Sequence, residues 1–212
     1  VNSTGVLVTE GERSIGILAQ SVGGGGGSAG DRSGLAFFGS VGGSGSGGDV
    51  SVTHDGTIVT RGARAHGIFA QSAGGTASGA YAGRGGTVSV TLRGAGIEVS
   101  GTDADAILVQ SIGVNGGRDI SVLVDGAWVQ GGAGHGAGVR FLDGAANLLD
   151  NRGVVTSVAG IDGMAVAGTG GSETVHNAGL ITGSVDLGAG ANAFANLAGA
   201  GLYSGSVLNL GA

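Results

Sequence analysis

The sequence predicts an all-β fold, a right-handed parallel β-helix (a solenoid) with Gly-rich excursion loops that leave from one edge. A short phrase recurs three times, as GILAQS at residues 16–21, GIFAQS at 67–72 and AILVQS at 106–111. Short runs in which β-branched and polar residues alternate precede the phrase, and such runs are typical of strands. Glycine makes up 52 of the 212 residues and follows each copy. Because one such repeat cannot bury its own apolar side chains, the copies are expected to stack.

Each repeat is predicted to contain three short strands separated by two turns. The predicted strands are residues 50–53, 58–60 and 67–71 in one copy, and residues 88–91, 97–99 and 106–110 in the next. Asp55 and Gly56 are interpreted as the first turn of their copy, because both residue types favour turns. A glycine every few residues is costly in a helix interior, and few windows have apolar residues at helical spacing.

Stacking of the copies predicts two columns of identical side chains. The columns are predicted to contain Ile17, Ile68 and Ile107 in one and Gln20, Gln71 and Gln110 in the other. Stacked side-chain amides can hydrogen bond along the axis of a parallel stack. We therefore interpret the Gln column as a structural ladder rather than a ligand site.

The spacing between the copies predicts one continuous solenoid with two styles of repeat. Residues 1–144 are predicted to carry excursions at about 23–48, 73–86 and 112–118, always after the Gln-Ser pair. Insertions at one fixed point of a repeat emerge from one edge of the stack. Residues 145–212 are predicted to form tighter repeats with an Asn-x-Gly signature, whose Asn residues suit turns.

Composition excludes several classes of protein. Mean hydropathy is +0.35, which is too high for a disordered chain, and there is no Cys for a disulfide framework. Net charge is −6 without any basic cluster, so nucleic acid is not an expected partner. No apolar run is long enough to cross a membrane as a helix. The chain is expected to be an excised segment of a longer protein.

Carboxylate and imidazole side chains offer few catalytic or metal-binding candidates. Asp103 and Asp105 are spaced to face the same way in a strand and could serve acid–base chemistry on a glycan, but a solvated turn is favoured. His66 and His135 occupy similar places in two copies and could approach each other, yet Asp105 stands at that place in the copy between them.

No other motif predicts a cofactor or metal site. Residues 42–49 only loosely resemble a calcium-binding repeat and do not recur. Ser21, Ser72 and Ser111 lack a recurring His or acid beside them, so none is a nucleophile candidate. We therefore expect no catalytic residue, no cofactor and no metal.

The densest aromatic cluster is the predicted partner contact. Leu35, Phe37 and Phe38 lie together in the longest excursion. One interpretation is an exposed apolar tip that contacts a partner, and the favoured alternative is a hairpin that folds back on the flank of the stack.

Two sequence patterns resemble one family. Asn-x-Gly-x-Ile-x-Gly-x-Val-x-Leu-Gly at residues 177–188, followed by Asn-x-Phe-x-Asn at 192–196, resembles the passenger-associated repeats of bacterial autotransporters (type V secretion). The Ile-x-Ala-Gln-Ser phrases with their Gly-rich continuations resemble upstream passenger repeats of large Gly-rich autotransporters. The resemblance implies export across the outer membrane of a Gram-negative bacterium to the cell surface or medium. It also implies an upstream signal peptide and a downstream membrane β-barrel.

The resemblance also implies what the protein does. We expect adhesion or aggregation, with virulence as the setting and a host or bacterial surface protein or glycan as partner, and self-association as a further route. Repeated weak contacts along a stack would act through avidity. Two alternatives stay open, namely a passive stalk that presents an upstream functional domain and a glycan-acting enzyme.

Overall fold

The structure is a computed structural model that describes residues 1–24, 44–75, 83–205 and 208–211. It is almost entirely β. The strands are β1 Asn2–Thr9, β2 Ile17–Val22, β3 Val50–Thr60, β4 Ile68–Ala73, β5 Val88–Val99, β6 Ile107–Ile112, β7 Ile120–Val124, β8 Trp128–Gly131, β9 Ala137–Asp143, β10 Ala146–Asn151, β11 Val154–Ser157, β12 Met164–Ala167, β13 Ser172–Asn177, β14 Leu180–Thr182, β15 Ser184–Asp186, β16 Ala193–Asn196, β17 Gly201–Tyr203 and β18 Leu208–Asn209. The described helical structure is one 3-10 turn, Gly160–Asp162. No helix in the described part of the chain could cross a membrane.

The strands form two parallel sheets. Sheet A has eleven strands, and its nine-strand path runs β16-β13-β10-β7-β5-β8-β11-β14-β17, with β3 joining β1 to β5. Sheet B has seven strands in the order β18-β15-β12-β9-β6-β4-β2. Both β7 and β8 pair with β5, so sheet A divides there into two arms.

This topology overturns the predicted right-handed parallel β-helix of three-strand coils. The segments predicted as two strands around a turn at Asp55 and Gly56 form one strand, β3. Gly56 pairs with Gly5 of β1, so the ladder continues through the predicted turn. Opposite this point β5 accommodates an extra residue by a register shift between Asp55 and Thr57. The corrected fold class is all-β with two parallel sheets, of eleven and seven strands.

The core lies where the inward faces of the two sheets meet. Sheet B contributes the column Ile17, Ile68, Ile107, Val139, Val166 and Val185. Sheet A contributes columns such as Val52, Val90, Val122, Leu149 and Val175. Buried β-branched side chains in register stabilise a parallel sheet through contacts between neighbouring strands.

A column of glycines marks the corner between the two sheets. A Cβ atom on Gly101 would lie 1.8 Å from the carbonyl oxygen of Gly62, and one on Gly62 would lie 2.0 Å from that of Gly11. A Cβ atom on Gly132 would likewise lie 2.0 Å from the carbonyl oxygen of Gly101. Neighbouring backbones therefore approach too closely here for any side chain, which accounts for part of the high glycine content.

Candidate functional site

The two predicted columns lie at neighbouring positions of sheet B. Ile17, Ile68 and Ile107 are in register and buried in the core. The amide Nε2 of Gln20 donates to Oε1 of Gln71 at 2.9 Å, and Nε2 of Gln71 donates to Oε1 of Gln110 at 2.5 Å.

The Gln ladder ends on a carboxylate. Nε2 of Gln110 donates to Oδ2 of Asp143 at 2.9 Å. All three amides therefore point the same way, towards a negative charge, and such charge-assisted hydrogen bonds are the stronger kind. Each of these three hydrogen bonds joins neighbouring strands of sheet B, so the arrangement holds the strands together.

The serines after these glutamines hydrogen bond to the backbone segments that lead into β3, β5 and β7 of sheet A. Oγ of Ser72 donates to the carbonyl of Gly48 at 2.8 Å and accepts the N–H of Gly86 at 2.7 Å. Oγ of Ser111 in turn donates to the carbonyl of Gly86 at 2.6 Å and accepts the N–H of Arg118 at 2.9 Å. Each hydroxyl thus connects the segments that precede two neighbouring strands of sheet A, which is a structural role.

Replacing Ser72 with alanine is expected to release this connection. The N–H of Gly86 would lose its acceptor at a buried position, which costs about 1–3 kcal/mol. We expect faster amide hydrogen exchange at Gly86 and a lower urea midpoint. Ser51→Ala, at an exposed position of β3, is the matched control and should change neither. Equal effects of the two variants would contradict the assigned role.

The predicted partner-contact residues Leu35, Phe37 and Phe38 lie outside the described residues. The structure describes only the two ends of the longest predicted excursion, residues 23–48. The N–H of Gly23 donates to the carbonyl of Ala73, and that of Gly47 donates to the carbonyl of Arg84. Both ends therefore stack on the corresponding segments of the next repeat.

The carboxylate pair of Asp103 and Asp105 does not form a shared site. Asp103 has a positive φ of 54°, which breaks the strand alternation that the pairing required. Oδ1 of Asp103 accepts the N–H of His135 at 3.0 Å, and this bond lowers the pKa of the Asp103 carboxyl. Asp105 is instead buried, and its Oδ1 accepts hydrogen bonds from Nε of Arg140 at 3.0 Å and the N–H of Ala137 at 2.8 Å.

The two histidines of that region also lie in different environments. His66 is buried, and its Nδ1 accepts the N–H of Asp105 at 3.0 Å. The side chain of His135 is 97% exposed. They are therefore not paired ligands, and the described residues contain no group of three His, Cys, Asp or Glu side chains suited to a metal.

A shallow groove on the outer face of sheet A was not predicted. Trp128 is 45% exposed and lines the groove with Thr57, Ala95, Gly96, Ile97 and Glu98. Trp128 pairs with Gly96 in β5 and with Val154 in β11. A Cβ atom on Gly96 would lie 1.9 Å from the carbonyl oxygen of Trp128, so this position next to Trp128 requires glycine. The alternation of Ala127, Trp128 and Val129 in the sequence could have indicated an outward Trp.

His54 is a buried titratable residue that the sequence analysis passed over. Its side chain is fully buried, and neither ring nitrogen has a hydrogen-bond partner among the described residues. Burial lowers the pKa of the His54 imidazole, since desolvation penalises its charged form. Its register partner in β5 is Leu92, so an apolar side chain already occupies the neighbouring place.

The buried imidazole predicts a pH dependence of stability. A histidine whose pKa is lowered in the folded state favours folding above its unfolded pKa of about 6.5, and this contribution is lost as pH falls towards the folded pKa. We expect the urea midpoint to fall between pH 7.5 and pH 5. The urea midpoint of His54→Leu is expected to fall less over this range. The variant is also expected to be more stable by about 1–3 kcal/mol, because a buried polar group without partners is removed. An unchanged pH profile in His54→Leu would show that other groups cause the dependence.

Comparison of the chain with known protein families, with curated proteins and with solved structures gives no match. The resemblance to autotransporter passengers therefore rests on the sequence motifs. Within the described residues, the groove at Trp128 is the feature with the chemistry of a contact site.

Proposed function

We propose that this chain is a surface-displayed or secreted autotransporter passenger segment that acts in adhesion or aggregation. The observation that carries the proposal is the exposed Trp128 beside an open groove in a parallel sheet. Trp is the side chain most enriched among residues that dominate binding energies at interfaces. It is the only Trp of the chain.

The chemistry of the groove suits a surface protein or glycan. The indole face offers a large rigid apolar surface, and the exposed carboxylate of Glu98 offers a hydrogen-bond acceptor next to it. Thr57 adds a hydroxyl on the other side. One such contact is weak, but many copies displayed on one cell bind through avidity.

The test is a cell-binding assay with the purified full chain attached to beads at fixed density. Trp128→Ala is expected to reduce binding to host cells, matrix or other bacteria about tenfold or more, as for a binding hot spot. Ile161→Ala, which truncates another exposed apolar side chain away from the groove, is the matched control and should bind as the parent does. Equal loss in both variants would contradict a specific groove.

The predicted contact at Leu35, Phe37 and Phe38 is tested in the same assay. A variant in which a short Gly-Ser linker replaces residues 25–43 keeps the described ends of that segment. If this variant loses binding while Trp128→Ala keeps it, adhesion belongs to the excursion and not to the groove.

A passive stalk is the second candidate. The observation that favours it is the continuous register of sheet B from β2 through β4 and β6 to β9, which suits a rigid spacer. Full binding by both variants would support the stalk. A glycan-acting enzyme has less support, because Asp103 and Asp105 are bonded to different partners. Turnover of a polysaccharide panel that is lost in Asp105→Asn would overturn this ranking.

A further inference from the structure

A column of uncharged residues crosses four neighbouring strands on the outer face of sheet A. Its members are in register in β8, β11, β14 and β17. In β8, β11 and β14 the next residue along the strand is buried in the core, so the column itself faces outward. The members in strand order are Trp128, Val154, Leu180 and Gly201.

Tyr203 places a second aromatic ring in line with Trp128. Its side chain faces outward from β17, and the residue is 62% exposed. A Cβ atom on Gly201 would lie 3.4 Å from Cε2 of Tyr203 and 2.9 Å from Cδ1 of Leu180, so one edge of the phenol ring lies over Gly201 and within the column. Trp128 and Gly201 are three strands apart, which corresponds to about 14 Å at about 4.8 Å per strand.

Polar groups flank the column and are available to a ligand. Gln130 and Thr182 lie two residues beyond column members in β8 and β14, so their side chains face the same way. Within the described part of the chain, the side chains of Gln130, Thr182, Trp128 and Tyr203 make no hydrogen bond. The indole N–H, the phenol hydroxyl, an amide and a second hydroxyl therefore surround an apolar surface.

The charge around the column disfavours an acidic ligand. Glu98 is the register partner of Gln130 in β5 and is exposed. Arg152, which precedes β11, is neutralised by Asp150 at 2.7 Å. The chain as a whole carries a net charge of −6. A ligand with a row of carboxylates or sulfates would meet a negative charge here and no free cation among these residues.

The shape of the column favours a glycan chain over a protein surface. The residues that dominate protein–protein binding lie in closely packed pockets from which water is excluded. Here the two rings stand apart on an open face, with aliphatic side chains between them. Sugar rings present apolar faces that stack on aromatic rings, and their hydroxyl groups need hydrogen-bonding partners at the edges. Successive sugars of an extended glycan also repeat at close to the spacing of the strands.

We propose that the surface from Trp128 to Tyr203 binds an extended, neutral glycan that runs across β8, β11, β14 and β17. The inference rests on the proposed function, because it names the partner class of the surface that contains Trp128. One sugar would stack on the indole of Trp128 and another, about three units away, on the phenol ring of Tyr203. Gln130 and Thr182 would bond to hydroxyl groups of the intervening sugars.

The test is a fluorescence titration of the full chain with neutral oligosaccharides, namely cellohexaose, mannohexaose and xylohexaose and their disaccharides. Trp128 is the only Trp, so a change in emission reports on this surface directly. We expect at least one hexasaccharide to change the emission and to bind about tenfold more tightly than its disaccharide, which cannot reach both rings. Polygalacturonate should give no change. If no hexasaccharide changes the emission, or if the disaccharide binds equally tightly, the proposal is wrong.

Variants at the far end of the surface separate it from the groove alone. Tyr203→Ala is expected to weaken hexasaccharide binding about tenfold and to leave disaccharide binding at Trp128 unchanged. Tyr203→Phe retains the ring and should keep most of the affinity. Leu18→Ala truncates an exposed apolar side chain of sheet B and is the matched control, which should bind as the parent does. Equal binding by Tyr203→Ala and the parent, with unchanged circular dichroism, would overturn the proposal.

Treated cells distinguish failure of this inference from failure of the adhesive function. In the bead assay, cells whose glycans have been oxidised with periodate should lose binding, and cells treated with protease should retain it. If periodate leaves binding intact while protease and Trp128→Ala abolish it, adhesion stands and the partner is a protein, so the glycan inference is wrong. If the hexasaccharide binds but the beads do not bind cells, the glycan surface stands and the adhesive function is wrong.

Discussion

Replacing Asn177 with alanine is expected to lower the free energy of unfolding by about 3–5 kcal/mol. Nδ2 of Asn177 donates to Oδ1 of Asn196 at 2.6 Å and to the carbonyl of Gly201 at 2.9 Å. Its Oδ1 accepts from Nδ2 of Asn151 at 2.8 Å. Removal leaves Nδ2 of the buried Asn151 without this acceptor, at about 1–3 kcal/mol, and also opens a cavity. Asn151 and Asn177 are both fully buried, so water cannot replace the bond between them.

Urea denaturation followed by circular dichroism measures this loss. His176→Ala is the matched control, because His176 is the preceding residue of β13 and faces outward. We expect the control to change stability by less than about 0.5 kcal/mol, as at most surface positions. A loss below about 1 kcal/mol in Asn177→Ala would show that the Asn ladder, formed by Asn151, Asn177 and Asn196, contributes little to the sheet.

The Asn-x-Gly signature predicted part of the role of these asparagines, namely the turns, but not the hydrogen bonds between strands. The Asn-x-Gly pattern indicated turns, and Oδ1 of Asn151 does accept the N–H of Gly153, two residues on, at 3.1 Å. The pattern alone could not show that the amides of Asn151, Asn177 and Asn196 also bond to one another. Those bonds join residues 19 and 26 positions apart, and they depend on the register of three strands.

The repeated phrase predicted register well because identical side chains occupy equivalent positions. Ile17, Ile68 and Ile107 lie in register in sheet B. The predicted number of strands per repeat was wrong, because the residues predicted to form a turn lie inside one continuous strand, β3. Gly56 pairs with Gly5 across the ladder, and backbone hydrogen bonds to a neighbouring strand outweigh the local preference of an Asp-Gly pair.

The buried titratable residues could have been found by alternation. His54 follows Val50 and Val52 at steps of two, so it lies on the same face as both. Glu173 precedes Val175 at the same step. What alternation cannot supply is the surroundings of these groups. The hydrogen-bond donor to Oε1 of Glu173 is Nδ2 of Asn147, which lies on a different strand, β10.

Replacing Gln71 with leucine is expected to lower the free energy of unfolding by about 2–4 kcal/mol. Gln71 is fully buried and stands in the middle of the Gln ladder. Its loss leaves Nε2 of Gln20 without this acceptor and Oε1 of Gln110 without this donor. The cost reflects the neighbours that remain polar, since burying an unsatisfied donor or acceptor is more expensive than the hydrogen bond itself is favourable. The measurement is the urea midpoint at pH 7.5.

Changing the three glutamines together separates the cost of leaving neighbouring amides unpaired from the contribution of the hydrogen bonds themselves. Residue 142, the register partner of Gln110 in β9, is already Leu, so the column accepts this side chain. With Gln20, Gln71 and Gln110 all replaced by leucine, no amide in the column is left unpaired. We expect the triple variant to be more stable than Gln71→Leu alone, which strictly additive effects forbid. Additive losses would mean that the oriented ladder ending on Asp143 is itself the main source of stability, with charge-assisted bonds that leucine packing cannot replace.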